Sequence, residues 1–299
     1  MSGNIMIYKG VFTAFLMLLL FTQAAAQETP NAEKQDVPQQ INDFSISGYG
    51  EKGRKSWDVS GKSADILEDK INLQEVKGNL YGEDDDVSLT ADKGVFHREE
   101  GVVHLEKNVF ITTASGVKLT TDSLDWDRKN QLVDTPDEVN IERQNMIANA
   151  LGASGRPALS QVTLKKNVKA EITPDKPGAA EEDRAKVIVT CDGPVDIDYA
   201  KNVAVFRNNV KIDRPDAQVY SDEMTVYFSR KADAVKSGKG LNGSLERIVA
   251  RSNVKVVRGG NISYSDEAVY NASDGRIVLT GKPKLIINSP EEMNASSGN

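Results

Sequence analysis

The chain holds one cysteine, Cys191, among 299 residues, so no intramolecular disulfide is open to it in any compartment. Val189 and Thr190 precede it and Asp192 and Gly193 follow, which reads as a strand running into a turn, where a cysteine acts as a small apolar residue. Histidine is almost as scarce, with only His97 and His104. The 37 lysines and arginines are outnumbered by 44 aspartates and glutamates, giving a net charge of -7 and a pI near 5.1. No basic stripe interrupts that balance, which argues against a nucleic-acid partner. Helical spacing of apolar residues is almost absent, so helical architectures are set aside. Neither a Gly-x-Ser-x-Gly nucleophile motif nor a phosphate-cradling Gly-rich loop occurs, and no catalytic residue or cofactor is assigned.

One long apolar run exists, Val11 to Phe21, well short of the roughly 20 residues that span a bilayer comfortably. It follows Lys9 and precedes Ala24-Ala25-Ala26, the order of a secretory signal peptide cleaved before Gln27. Residues 1–26 are therefore expected to be a signal peptide delivering the chain to the periplasm, with an N-terminal inner-membrane anchor as the weaker reading. Residues 27–40 are polar, contain Pro30 and Pro38, and read as a flexible tether.

From Ile41 onward, short segments alternate apolar and polar residues. Val87, Leu89 and Ala91 share a face, as do Val103 with Leu105 and Val109 with Ile111. The breaks Glu99-Glu100-Gly101, Gly259-Gly260-Asn261 and Ser273-Asp274-Gly275 suit hairpin turns, so an antiparallel meander is expected. Two motifs recur along it. One is a small residue, an aspartate, then apolar residues two and four positions on, at Asp92, Asp122, Asp222 and Asp266. The other occurs as Lys107-Asn108-Val109, Lys166-Asn167-Val168, Asn208-Asn209-Val210 and Ser252-Asn253-Val254. The step from Asp222 to Asp266 is longer than that from Asp92 to Asp122 and is filled by Lys236 to Gly243. Repeats of this kind bury their faces by stacking on neighbours, giving a solenoid-like roll. Residues 170–186 are rich in Pro, Gly, Ala and acid and read as a linker, and 291–299 as a disordered tail.

The segment Val189 to Tyr199, followed by Ala204 to Val210, resembles the opening of the OstA-like domain of LptA-type lipopolysaccharide-transport proteins, and Ala268 to Pro283 fits its close. Trp57 to Ala64, Ile71 to Leu73 and Leu89 to Gly94 resemble the related LptC-type proteins. The resemblance implies an all-β fold of tandem open β-jellyroll modules, LptC-like over 41–169 and LptA-like over 187–290, stacked into a continuous twisted antiparallel roll. It also implies binding of lipopolysaccharide through lipid A, passage toward the outer membrane, and head-to-tail strand pairing with other bridge proteins or with itself. An inner-membrane ABC transporter is a further implied partner.

By inward parity, the groove of such a carrier would be lined by Phe96, Val103, Leu105, Ile111, Leu124 and Trp126 in the first half. In the second half the lining would be Val210, Ile212, Val226, Phe228, Val254, Val256, Tyr270, Ile277 and Leu279. The same residues would equally fill the closed core of a structural or adhesive β-solenoid that binds no lipid. A glycan-modifying enzyme would need paired carboxylates on facing strands, and no pair can be chosen. His97 and His104 flank one turn and could meet across a hairpin as metal ligands, but nothing on their face completes a site. The runs Asp84-Asp85-Asp86 and Glu181-Glu182-Asp183 read as solvated turns rather than calcium sites.

Overall fold

A computed structural model describes residues 39–50, 53–82, 86–143, 146–156, 161–173, 186–228 and 245–287. The expected signal peptide, most of the tether, the 236–243 segment, the Glu181 run and the C-terminal tail lie outside the described residues. Every extended element among them is a β-strand, and the strand pairings are antiparallel. The all-β class expected from the alternation is the fold observed, consistent with the jellyroll that the resemblance implied.

The chain forms two units, residues 1–144 with 152–160 and residues 145–151 with 161–299. The first contains β1 (Gln39–Tyr49), β2 (Lys55–Ile66), β3 (Lys70–Tyr81), β4 (Asp86–His97), β5 (Val102–Thr113), β6 (Lys118–Asp127) and β7 (Leu132–Arg143), each paired with the next. The residues of β8 (Met146–Gly155) divide between the units. The second unit opens on β9 (Gln161–Ile172), upstream of the expected linker, whose residues 174–185 lie outside the described set. β10 (Val187–Cys191) and β11 (Val195–Asp198) share the place between β9 and β12 (Val203–Arg214). Then follow β13 (Ala217–Phe228), β14 (Leu245–Arg258) and β15 (Asn261–Asn271), with β16 (Ile277–Thr280) and β17 (Lys284–Ile286) both on the far side of β15.

The two repeated motifs are one device. Lys107-Asn108, Asn208-Asn209 and Ser252-Asn253 are consecutive residues with positive φ, between 52° and 64°, and each pair sits where the strand register shifts. Two left-handed residues in succession bend the strand sharply while keeping Leu105 and Val109, or Phe206 and Val210, on one face. Asparagine tolerates that conformation, and its amide finds a partner on the preceding strand. Asn108 Nδ2 donates to Asp92 at 2.7 Å and Asn253 Nδ2 donates to Asp222 at 2.7 Å. Asn209 donates likewise to Asp192. The corner between β10 and β11 is turned by Gly193 (φ 93°), where a Cβ would lie 2.5 Å from the Lys165 carbonyl oxygen, so only glycine fits.

Each corner folds its strand into two arms that present apolar residues to one interior. Burial is greatest beside the corner, at Val109, Val210, Val254, Leu164 and Val195. Cys191 lies there as well, a buried free thiol whose pKa burial pushes up, as expected of a packing residue. Substituting Asn253→Ala removes both the left-handed tolerance and the bond to Asp222, and is expected to lower stability by about 1–2 kcal/mol in urea unfolding. Asn253→Gly should recover the backbone part of that loss.

Candidate functional site

Cross-strand register carries the alternation of single strands into continuous apolar rows. In the first unit Ile46, Val59, Gly78, Leu89, Ile111, Leu119 and Ile141 align across β1 to β7. Exposure along this row falls from 39% at Ile46 to 2% at Ile111 and Ile141. On the other arm Ile41, Ala64, Leu73, Gly94, Leu105 and Leu124 form a second row, 46% exposed at Ile41 and 2% at Leu105 and Leu124. Farther from the corner, Ile66, Ile71, Phe96, Val103 and Trp126 form a third that is half-buried throughout.

The second unit repeats this arrangement with the gradient reversed in chain order. Ala204, Val226, Ile248, Tyr270 and Ile277 align across β12 to β16, from 5% exposed at Ala204 to 42% at Ile277. Ile212, Val219, Val256, Ser263 and Leu285 align from buried to 60% exposed. Within each unit the apolar interior is thus closed beside the corner and along the inner strands. It opens toward the terminal strand, and in the first unit along the arm ends as well.

The fifteen residues chosen by parity divide along that gradient. Leu105, Ile111, Leu124, Val210, Ile212, Val254 and Val256 are buried and form the floor. Phe96, Val103, Trp126, Val226, Phe228, Tyr270 and Leu279 are half-buried at the rim, and Ile277 is exposed. At the rim of the first unit the Arg128 guanidinium lies 5.3 Å from the Phe96 ring centre, and burial holds its pKa below the usual arginine range. Trp126 contributes a buried indole N–H with no acceptor among the described residues. Sequence reasoning missed the open ends, Ile41 and Ile46 on β1 and Leu285 and Ile287 at β17. The signal was present in β1, but Asp43 has a φ of 50° and splits its alternation into two short runs.

The opposite face of β4 to β7 carries a polar cleft of about 410 Å³ lined by His97, Glu100, Val102, His104, Asp125, Asp127, Leu132 and Asp134. The two histidines both line it, as diagonal rather than facing neighbours across the hairpin, since His97 pairs with Val102 and His104 with Val95. His104 is already held, with Nδ1 2.5 Å from Asp125 Oδ1 and Nε2 3.1 Å from Glu106 Oε1. No group of three metal-ligating side chains poised for a cation occurs among the described residues.

The Asp125 hydrogen bond, reinforced by its charge and by Glu106, raises the His104 pKa above its ordinary value. A raised histidine pKa means that the folded state holds the proton more tightly. The stabilisation is complete below about pH 6.5 and is lost as pH rises through the folded pKa. The His104→Asn variant is expected to lose this alkaline decline in a pH series of thermal midpoints, and a proton NMR titration should place the His104 inflection above that of free histidine.

Comparison with known proteins agrees with this architecture. Residues 11–173 match the family described as "Lipopolysaccharide-assembly, LptC-related". Residues 194–299 match "LptA/(LptD N-terminal domain) LPS transport protein". An uncharacterized protein of Rhizobium meliloti (strain 1021) is 26% identical over 138 residues, which cover 46% of this chain and 67% of the relative.

Proposed function

The chain belongs to the LptC-related lipopolysaccharide-assembly family, and on that premise we propose that it is a non-enzymatic periplasmic carrier that shields lipid A acyl chains inside its jellyroll units and passes them toward the outer membrane. The observation that carries this reading is the gradient of burial along the inward rows. A closed structural roll has no reason to leave Ile46, Ile277 and Leu285 exposed on its inner face.

Energetics make the same demand. A twelve-carbon acyl chain costs on the order of 10 kcal/mol to expose to water, at about 0.8 kcal/mol per methylene. A carrier must therefore offer continuous apolar cover and must release the chain to the next module at nearly equal free energy. An interior that opens progressively at a terminal strand meets both needs. The Trp126 indole offers a hydrogen-bond donor where an ester or amide carbonyl of such a lipid would pass.

The terminal strands themselves supply the contact with neighbours. Among the described residues, within their units β1 pairs only with β2, and β16 and β17 only with β15, so on these pairings each leaves backbone donors and acceptors along one side. Other members of the transport bridge, or further copies of this chain, would add strands there.

A photo-crosslinking amino acid placed singly at Phe96, Phe228 and Tyr270, with irradiation in the presence of lipopolysaccharide, tests the reading. Adducts are expected at these inward rim positions and not at the outward Thr90. A folded protein that gives no adduct at any of the three is a packed structural roll.

A further inference from the structure

The repeats build a second surface on the outer face of the second unit. Directly after each buried corner valine stands a lysine, as Val168-Lys169, Val210-Lys211 and Val254-Lys255. The two Tyr-Ser-Asp repeats place Tyr220 and Tyr264 on the strands between. Register joins them, since Lys211 pairs with Tyr220, Tyr220 with Lys255, Lys255 with Tyr264, and Tyr264 with Lys284. Five strands, β12, β13, β14, β15 and β17, thus carry an unbroken Lys-Tyr-Lys-Tyr-Lys row about 19 Å long at the usual strand spacing. The Lys211 and Lys255 ammonium groups lie 5.9 Å and 5.4 Å from the Tyr220 ring centre.

The row is polarised along its length. Lys211 is held by Asp213 at 2.6 Å, and Lys169 on β9 by Glu171 at 2.7 Å. Lys255 and Lys284 have no carboxylate partner among the described residues, and the next outward positions beside them are Val257, Ile262 and Ile286. Of the nearest acids, Asp222 is bonded to Asn253 and Glu267 to Arg251, while Asp266 packs against Gly281. Two lysines without a carboxylate partner therefore flank β15, their backbones about 10 Å apart, with Lys255 resting on the Tyr220 ring and the 40% exposed Tyr264 ring on the strand between them. On the first unit the corresponding row reads Lys77, Thr90, Phe110, Thr120 and Asn140, with a single charge.

We propose that Lys255, Tyr264 and Lys284 bind an anionic saccharide, with the sugar ring on Tyr264 and its phosphate or carboxylate groups on the two lysines. Charge complementarity selects the ligand, since this is a cationic strip on a chain of net charge -7. Place selects the source. Leu285, between Lys284 and Ile286, faces the interior at its open end, so a head group emerging there meets the strip at the same edge. The proposal rests on the carrier reading to the extent that the saccharide is taken as the head of the carried glycolipid.

The test uses the full mature chain and three soluble probes: a deacylated phosphorylated oligosaccharide from lipopolysaccharide, its dephosphorylated form, and inorganic phosphate. Calorimetry at low salt should show the phosphorylated oligosaccharide binding most tightly. K255Q/K284Q should weaken it roughly tenfold or more and Y264A roughly threefold, with K77Q unchanged. All four positions are surface positions, and matching thermal midpoints would confirm intact folds. Equal binding of phosphate alone with no effect of Y264A reduces the strip to simple anion attraction and overturns the proposal, as does unchanged binding by K255Q/K284Q. Because these probes carry no acyl chain, failure at the strip leaves interior crosslinking untouched, and loss of crosslinking leaves the strip's selectivity intact.

Discussion

The pair of left-handed residues at the corners of β5, β12 and β14 is the constraint on which the other features depend. A strand of twelve residues is about 40 Å long if straight, and a sheet of such strands would leave one apolar face in water. Bending each strand at Asn108, Asn209 or Asn253 turns the sheet over on itself, and the aspartate on the preceding strand ties down the asparagine that makes the bend. The bulge leaves the side-chain faces unchanged, so one interior serves both arms.

A fold closed by corners rather than by a full barrel has free ends, and the proposed functions fall there. Inner strands are covered by neighbours on both sides and bury their inward residues to a few per cent. Among the described residues β1 in the first unit and β16 and β17 in the second have one neighbour each within their unit, so the same inward row that is a sealed floor at Ile111 or Ala204 is an open apolar surface at Ile46 or Ile277. In the proposed carrier, lipid access and strand-to-strand assembly would use the same edges, which would couple carriage of the cargo to contact with the next module.

The outer face is organised by the same register but by different chemistry. Arg207, Glu223, Arg251 and Glu267 form a row whose charges alternate and cancel, with ion pairs from Arg207 to Asp196 and Glu223 and from Arg251 to Glu267. One turn of repeat away, the Lys-Tyr row alternates charge with aromatic rings instead, and its last two lysines are left for something outside the chain.

Strand period, turn chemistry and the recurrence of Asp and Asn-Val motifs are local, and they sufficed to read an all-β chain of repeated units and to select candidate groove residues by strand parity. Two results required three dimensions. Parity says which face Leu105 and Phe96 share but not that Leu105 is sealed and Phe96 is at the rim, because that depends on distance from the corner and on how many strands lie beyond. Nor does a chain without a basic stripe reveal that Lys211, Lys255 and Lys284, each tens of residues apart, stand in one row. Side-chain direction is a property of the strand, whereas burial and charge density belong to neighbours that only strand pairing brings together.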